Sequence, residues 1–415
     1  MRIPALESLD VVPKAFRRGT HRAQDPEATL ARARMLMPSM GITRIADVTG
    51  LDCLGIPVAM AYRPNSRSRA VSPGKGLDLV AAKASALMET IELWHAERIH
   101  LPLYLASVNE LRFEHTLIDL AGLPKRRDGE LHDNLRLLWI EADELLSSTR
   151  LLVPFELVHV NFTLPLPTSS GALLASSNGL ASGNTLLEAL SHALCELVER
   201  DAMTLWRART DAQRLSRKLD LGSIDDESCR WVLERMEAAG SAVAVWDVTS
   251  DVGIPAFRCS LVESKPALLR PHQPGVGSGC HPSRAVALLR ALTEAAQTRL
   301  TLITGSRDDI HLRQYALSKD ADAHKQLLAE IVGAGARDFR TIPSFDGSTF
   351  NDDVAWELER LRHVGVKQVA ALDLSKPQLG IPVVRVVVPG LESVPGATGY
   401  VPGARYSNLL AHGAT

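Results

Sequence analysis

Three stretches of this chain each set acidic side chains along a single helical stripe, and any fold must find a setting for all three. They are Ser85 to Glu92, Glu188 to Arg200, and Arg290 to Gln297, and together they supply six glutamates. Helical neighbours lie three and four residues apart. Ser85, Glu89 and Glu92 therefore share one face. Glu188, Glu196 and Glu199 share another, with His192 between them, and Arg290, Glu294 and Gln297 repeat the pattern. The helix carrying Glu89 is otherwise mostly apolar, with Ala81, Ala82, Ala84, Ala86, Leu87, Met88, Ile91 and Trp94. Such a helix is expected to be buried, and a buried carboxylate needs a partner or a metal. Isolated acidic pairs at this spacing are ordinarily solvated faces worth little. Three together point to hard divalent cations such as Mg²⁺, which take oxygen ligands and usually share them with phosphates.

The remaining composition narrows the class. The chain has 415 residues, with 46 basic and 48 acidic side chains, 46% apolar and 23% charged residues. This describes a soluble globular protein of one elaborate α/β domain or two to three units. Near-neutral charge gives no basic footprint for nucleic acid. No run is long and apolar enough for a membrane helix, and the first ten residues lack a signal-peptide core. Five scattered cysteines without a CxxC motif argue for reduced thiols and a cytoplasmic location.

Along the chain, one arrangement recurs near residues 74, 179 and 277: strand, Gly-rich loop, acidic helix. Pro73-Gly-Lys-Gly76 is expected to open a helix over 78–98. Ser176 to Thr185 forms a loop with caps for a helix over 186–207, and Gly275 to His281 a loop before a helix over 283–304. Further helices are expected at 26–38, 320–333 and 351–363. Strands are expected at 56–62, 135–140, 151–157, 242–247, 256–261, 369–374 and 383–388, the last apolar enough for burial on both faces. Arg63–Ser72 reads as a polar loop. The domain reading is an N-terminal segment over 1–50, a catalytic domain over 51–390 and a tail over 391–415.

Several familiar motifs are absent. Gly74-Lys75-Gly76 lacks the upstream Gly and the Ser/Thr of a P-loop, though its lysine could still touch a phosphate. Gly275-x-Gly-x-Gly misses the dinucleotide spacing. His192 with Cys195, and Cys280 with His281, do not have zinc-site spacing. No G-x-S-x-G elbow appears.

Taken together, the segments resemble the YcaO family. The resemblance rests on Gly74-Lys75-Gly76 with Ser85, Glu89 and Glu92, on Asn178-Gly179 to Asn184-Thr185 with Glu188, Glu196, Glu199 and Arg200, and on Arg290, Glu294 and Gln297. It runs in order over about residues 50–390. It implies a mixed α/β (α+β) YcaO-like fold with three Gly-loop/acidic-helix units around one nucleotide site. By the same resemblance, Glu89, Glu92, Glu196, Glu199 and Glu294 hold Mg²⁺. Lys75, Ser85, Asn184, Glu188 and Arg290 contact ATP. No protein nucleophile is implied, because phosphoryl transfer needs positioning and charge neutralisation more than covalent help.

The implied reaction is activation of a peptide backbone amide. A side chain of the substrate as nucleophile gives an azoline, whereas external sulfide gives a thioamide. The chain lacks the proline-alternating tail of azoline-forming members. Gly380 to Glu392 and Tyr400 to Arg405 are similar to members paired with a TfuA-type protein that supplies sulfur. Thioamide formation with such a partner, on a peptide or protein substrate and by a homodimer, is the leading expectation. Azoline cyclodehydration and a non-catalytic nucleotide-binding scaffold are the rivals. Leu93 departs from the arginine many members carry after the second glutamate.

Overall fold

The computed structural model describes residues 3–413 except 169, 266–273, 308, 311, 313–314, 316–319 and 395–396. Its strands form three antiparallel sheets and one short parallel pair. The first sheet is β1 (Arg44–Asp47), β2 (Val58–Tyr62) and β3 (Val71–Lys75) in that order. The central sheet runs β4 (Leu103–Ala106), β5 (Leu137–Glu144), β13 (Ala370–Asp373), β14 (Val383–Val387) and β7 (Leu180–Ser182), with β6 (Thr149–Pro154) on the far edge of β5. The third sheet is β9 (Ser241–Asp247), β10 (Ala256–Glu263) and β11 (Gly275–Cys280). Residues Leu219–Asp220 (β8) and Arg337–Asp338 (β12) pair in parallel. The expected boundary near residue 50 falls between β1 and β2, which pair with each other.

Each sheet packs against the acidic helix of its own unit, and the helices match the sequence reading. They span Leu79–Ala96, Leu186–Arg207 and Arg284–Thr304. Asp78 caps the first by accepting the Ala81 N–H (2.8 Å), and Thr185 caps the second by accepting the Glu188 N–H (3.2 Å). Such caps are worth about 1 kcal/mol each. The 26–38 helix is broken after Met35 and resumes over Met37–Met40, with Pro38 in its first turn.

The Gly-rich segments differ from expectation. Gly74 and Lys75 end strand β3, and Gly275 to Cys280 are strand β11 throughout, so neither is a loop. In the second unit a short strand, β7, sits inside the expected loop. The glycines are there because helices lie against them. A Cβ on Gly74 would sit 2.1 Å from Ala86 N and 2.3 Å from Ala82 O. On Gly275, Gly277 and Gly279 it would sit 2.3, 2.2 and 2.2 Å from the carbonyl oxygens of Ala295, Ala291 and Ala287. Alternate strand residues face one side and every fourth helical residue faces one side. A glycine row on a strand thus fits an alanine row on a helix, and backbone meets backbone.

Strand β14 divides the interior. Val383 and Val387 pack with the first acidic helix and the central sheet. Val384 and Val386 pack with the second acidic helix. All five residues are buried, including Arg385, the one charged residue of the strand.

Candidate nucleotide and magnesium site

The three acidic helices are joined in a ring. The first packs against β7, the second against β11 and the third against β3, so each helix touches the strand belonging to the next unit. At each junction a polar residue on the strand binds a glutamate on the visiting helix. The Ser182 hydroxyl donates to Glu92 (2.7 Å), the Ser278 hydroxyl to Glu199 (2.7 Å), and the Lys75 ammonium to Glu294 (2.6 Å). A backbone amide reinforces the first of these, and another holds Glu294 within its own unit. The Ser182 N–H donates to Glu92 (2.8 Å) and the Ser278 N–H to Glu294 (3.2 Å). Arg200 closes the second unit, 3.7 Å from Glu196 and 3.4 Å from Glu199. Arg69 lies 3.4 Å from Glu89. Ser85 lies half-buried one turn before Glu89.

The ring concentrates negative charge in a poorly solvated place. Burial pushes the Glu92 carboxyl up to about 8, and the neighbouring Glu89 and Glu196 charges add to the rise. Burial likewise pushes Glu196 up to about 7, although Arg200 pulls the other way. Burial opposes the charge on Arg200 itself, but Glu199, Glu196 and Glu294 raise its pKa above the usual guanidinium value.

Residues 20–32, outside every motif, complete one end. Ala23 N–H donates to Glu188 (2.9 Å), and the Arg22 guanidinium lies 3.7 Å from the same carboxylate. Asn184 accepts from the Thr29 hydroxyl (2.9 Å) and Arg32 (2.8 Å), and its amide donates to Glu188 (3.3 Å). Arg290 on the third helix holds the Cys280 carbonyl (3.1 Å), and its charge is felt by Arg22. Sequence reasoning missed Arg22, Thr29, Arg32, Arg69, Ser182 and Ser278. Arg22, Thr29, Arg32 and Arg69 lie in the cation-rich stretches Arg17 to Arg34 and Arg63 to Arg69, which read as solvated surface.

The donor set suits the expected cations. The acidic residues offer only carboxylate oxygens, the choice of Mg²⁺ over softer metals. They do not form a protein-only cage. Among the described residues, the one group of three candidate ligands with atoms within 4.8 Å of one another is His21, His281 and Asp353. Mg²⁺ usually takes one or two carboxylates and completes its shell with phosphate and water. Glutamates spread around a ring are compatible with that habit.

The histidine cluster is a brace for the N-terminal segment. His281 Nδ1 accepts the Ser283 N–H (3.0 Å), which leaves its proton on Nε2. Lys14 holds Asp353 at 2.7 Å with both side chains fully buried. A cation would have to displace a proton and face a lysine. His21 packs edge-on against His281, ring centroids 5.0 Å apart, and fixes the segment that carries Arg22.

The fold is shared with known proteins. The family model for YcaO cyclodehydratases, ATP- and Mg²⁺-binding, matches residues 73–392. The chain belongs to the YcaO family. ATP and Mg²⁺ are its cofactors. A protein from Rhizobium leguminosarum bv. trifolii, described as an uncharacterized protein in the tfuA 3′ region, is 37% identical over 89% of this chain and 88% of its own length. An uncharacterized protein of Methanothermobacter thermautotrophicus is 34% identical over 89% of this chain and 95% of its own. Among solved structures, YcaO from Methanopyrus kandleri bound with AMPPCP and Mg²⁺ has a TM-score of 0.70 at 23% identity, covering 92% of this chain and 95% of that one. A heterocyclase in complex with substrate and cofactor has a TM-score of 0.76 at 22% identity, covering 93% of this chain but 54% of the heterocyclase. At these identities the two structures show the YcaO fold.

Proposed function

We propose that this YcaO protein transfers the γ-phosphoryl group of ATP to the oxygen of a peptide backbone amide, and that the chemistry it serves is thioamide formation with sulfur from a TfuA-type partner. The observation behind the first part is the ring of strand-to-helix contacts, which brings Lys75, Glu92, Glu196, Glu199, Arg200 and Glu294 together. The second part is supported by the relative from the tfuA region, alike over nearly the full length of both chains.

In this reading Asn184, Glu188, Arg290, Lys75 and Ser85 bind and orient the nucleotide. Glu89, Glu92, Glu196, Glu199 and Glu294 hold Mg²⁺. When bound, Mg²⁺ neutralises phosphate charge and aligns the transferred group. Ser182, Ser278 and Arg200 fix the carboxylates, so little reorganisation is needed when charge shifts. Hydrosulfide adds to the amide carbon, and the resulting oxyanion takes the phosphoryl group as the β–γ bridge breaks. Phosphate then leaves with the amide oxygen. One amide, one hydrosulfide and one ATP become one thioamide, one ADP and one hydrogen phosphate.

The family model's description as a cyclodehydratase supports a second reading, in which a Cys, Ser or Thr of the substrate is the nucleophile and an azoline forms. A test is to supply the protein with ATP, Mg²⁺, sulfide, a TfuA-type protein and a peptide pool. Phosphate release should depend on peptide, and the product should gain the mass of sulfur for oxygen. Loss of one water from the product would favour the azoline reading. Peptide-independent or absent phosphate release would sink both.

A further inference from the structure

Beside the acidic ring lies a group of buried polar atoms that the nucleotide reading does not use. Arg385, on β14, is 2% exposed and gives Nη2 to the Ser176 carbonyl (2.8 Å). Its Nε and Nη1 are buried with no acceptor. Asn178 is 9% exposed, and its buried Oδ1 has no donor. His159 is 3% exposed. Its Nδ1 accepts the Asn161 N–H (3.1 Å), so the proton sits on Nε2, which is also buried without a partner.

These residues belong to one place in the fold. Arg385 stands opposite Leu180 in the β14–β7 register, and the Val386 N–H donates to the Gly179 carbonyl (2.8 Å), next to Asn178. The Ser176 carbonyl that anchors Arg385 precedes Asn178 by two residues, and the Ser176 hydroxyl accepts the Asn178 N–H (3.3 Å). The Arg385 charge depresses the His159 pKa, second to burial, and Glu196 is the charged neighbour that Arg385 itself feels. The cluster therefore sits at the Glu196 side of the ring. Arg22, Asn184 and Glu188 form a separate contact set on the N-terminal segment.

Buried, unpaired donors are costly, on the order of 1–3 kcal/mol each and more when charged. The unmet set has a definite complement. Arg385 and His159 lack an acceptor, and Asn178 lacks a donor. A secondary amide offers one carbonyl oxygen with two lone pairs and one N–H. We propose that Arg385 and Asn178 bind the backbone amide group of the substrate, Arg385 donating to its oxygen and Asn178 Oδ1 accepting its N–H, with His159 Nε2 as a second donor to the oxygen. This deepens the proposed function and rests on it. The same contacts would stabilise the oxyanion formed when a nucleophile adds to that amide.

The probe is N-methylacetamide, the smallest peptide group, with methyl acetate as the analogue that keeps the carbonyl and lacks the N–H. Saturation-transfer NMR is run on the full chain with Mg²⁺ and AMPPCP. Circular dichroism and thermal melting establish that each variant is folded. The wild type should show transfer to N-methylacetamide and much weaker transfer to methyl acetate. Asn178→Ala and Arg385→Met should each weaken amide binding at least about 10-fold, the loss of one hydrogen bond to a buried or charged group. Either variant alone suffices if the other does not fold. Equal transfer to amide and ester, or amide binding unchanged in the folded variants, overturns the assignment of these residues to the amide. So does a wild type that binds AMPPCP but no amide, which leaves the nucleotide reading standing. A wild type that binds no AMPPCP overturns both.

Discussion

His95 shows how one buried side chain ties this fold to pH. It lies on the first acidic helix with Nδ1 2.8 Å from the Ile91 carbonyl oxygen and Nε2 without a partner. The residue is fully buried, and desolvation lowers its pKa to about 4. The unfolded chain, near pKa 6.5, binds the proton more readily, so stability is present above about pH 6.5 and is lost as pH falls toward 4. The loss approaches about 3 kcal/mol for this residue. His21 and His159 are lowered to about 4 in the same way, again chiefly by burial. Urea midpoints should therefore fall steeply between about pH 6.5 and pH 4, and His95→Met should flatten part of that fall. An unchanged slope in the variant would contradict the assignment. Helical spacing put Glu89 with Glu92 and Glu196 with Glu199 on shared faces, and in the structure Glu92, Glu199 and Glu294 each bind a strand residue of the ring. Ser182 and Ser278 were not legible, because their partners lie 90 and 79 residues away in sequence.

At the scale of elements, all three acidic helices were readable from periodicity and caps, and their bounds differ by no more than two residues from those observed. The glycine segments were not. Clustered glycines signal turns when only the local chain is considered. Here Gly275, Gly277 and Gly279 serve a helix that follows the strand, and the Ala287, Ala291 and Ala295 row is recognisable only once the two are packed. Gly277→Ala places a Cβ 2.2 Å from the Ala291 carbonyl oxygen. Backbone cannot yield as a flexible side chain can, so the cost should reach or exceed the usual 1–3 kcal/mol of overpacking, roughly. Gly50→Ala, with nothing within 4 Å of its Cβ, is the matched control and should change little. Urea denaturation of both distinguishes close packing from a plain turn, for which the two substitutions would cost alike.

On the scale of the whole molecule, chain ends distant in sequence close around the second acidic helix. Residues 20–32 reach Glu188 and Asn184 from one side. From the other, Arg405 binds Asp201 at 2.8 and 2.9 Å, and Glu392 accepts the Tyr400 hydroxyl (2.5 Å) and the Gly403 N–H (2.7 Å). Asp201 is fully buried, so Arg405→Met should strand a carboxylate and cost about 3 kcal/mol or more, read as a lowered melting temperature. No helix among the described residues is long and apolar enough to cross a membrane. The central claim is that the ring of three helices is a Mg²⁺-dependent nucleotide site. It is tested most directly by calorimetric titration with AMPPCP, with and without Mg²⁺, on the wild type and on Glu199→Gln. Binding that requires Mg²⁺ and disappears in a folded Glu199→Gln protein is the predicted result. Equal affinity in the variant, or in the absence of the metal, would contradict it.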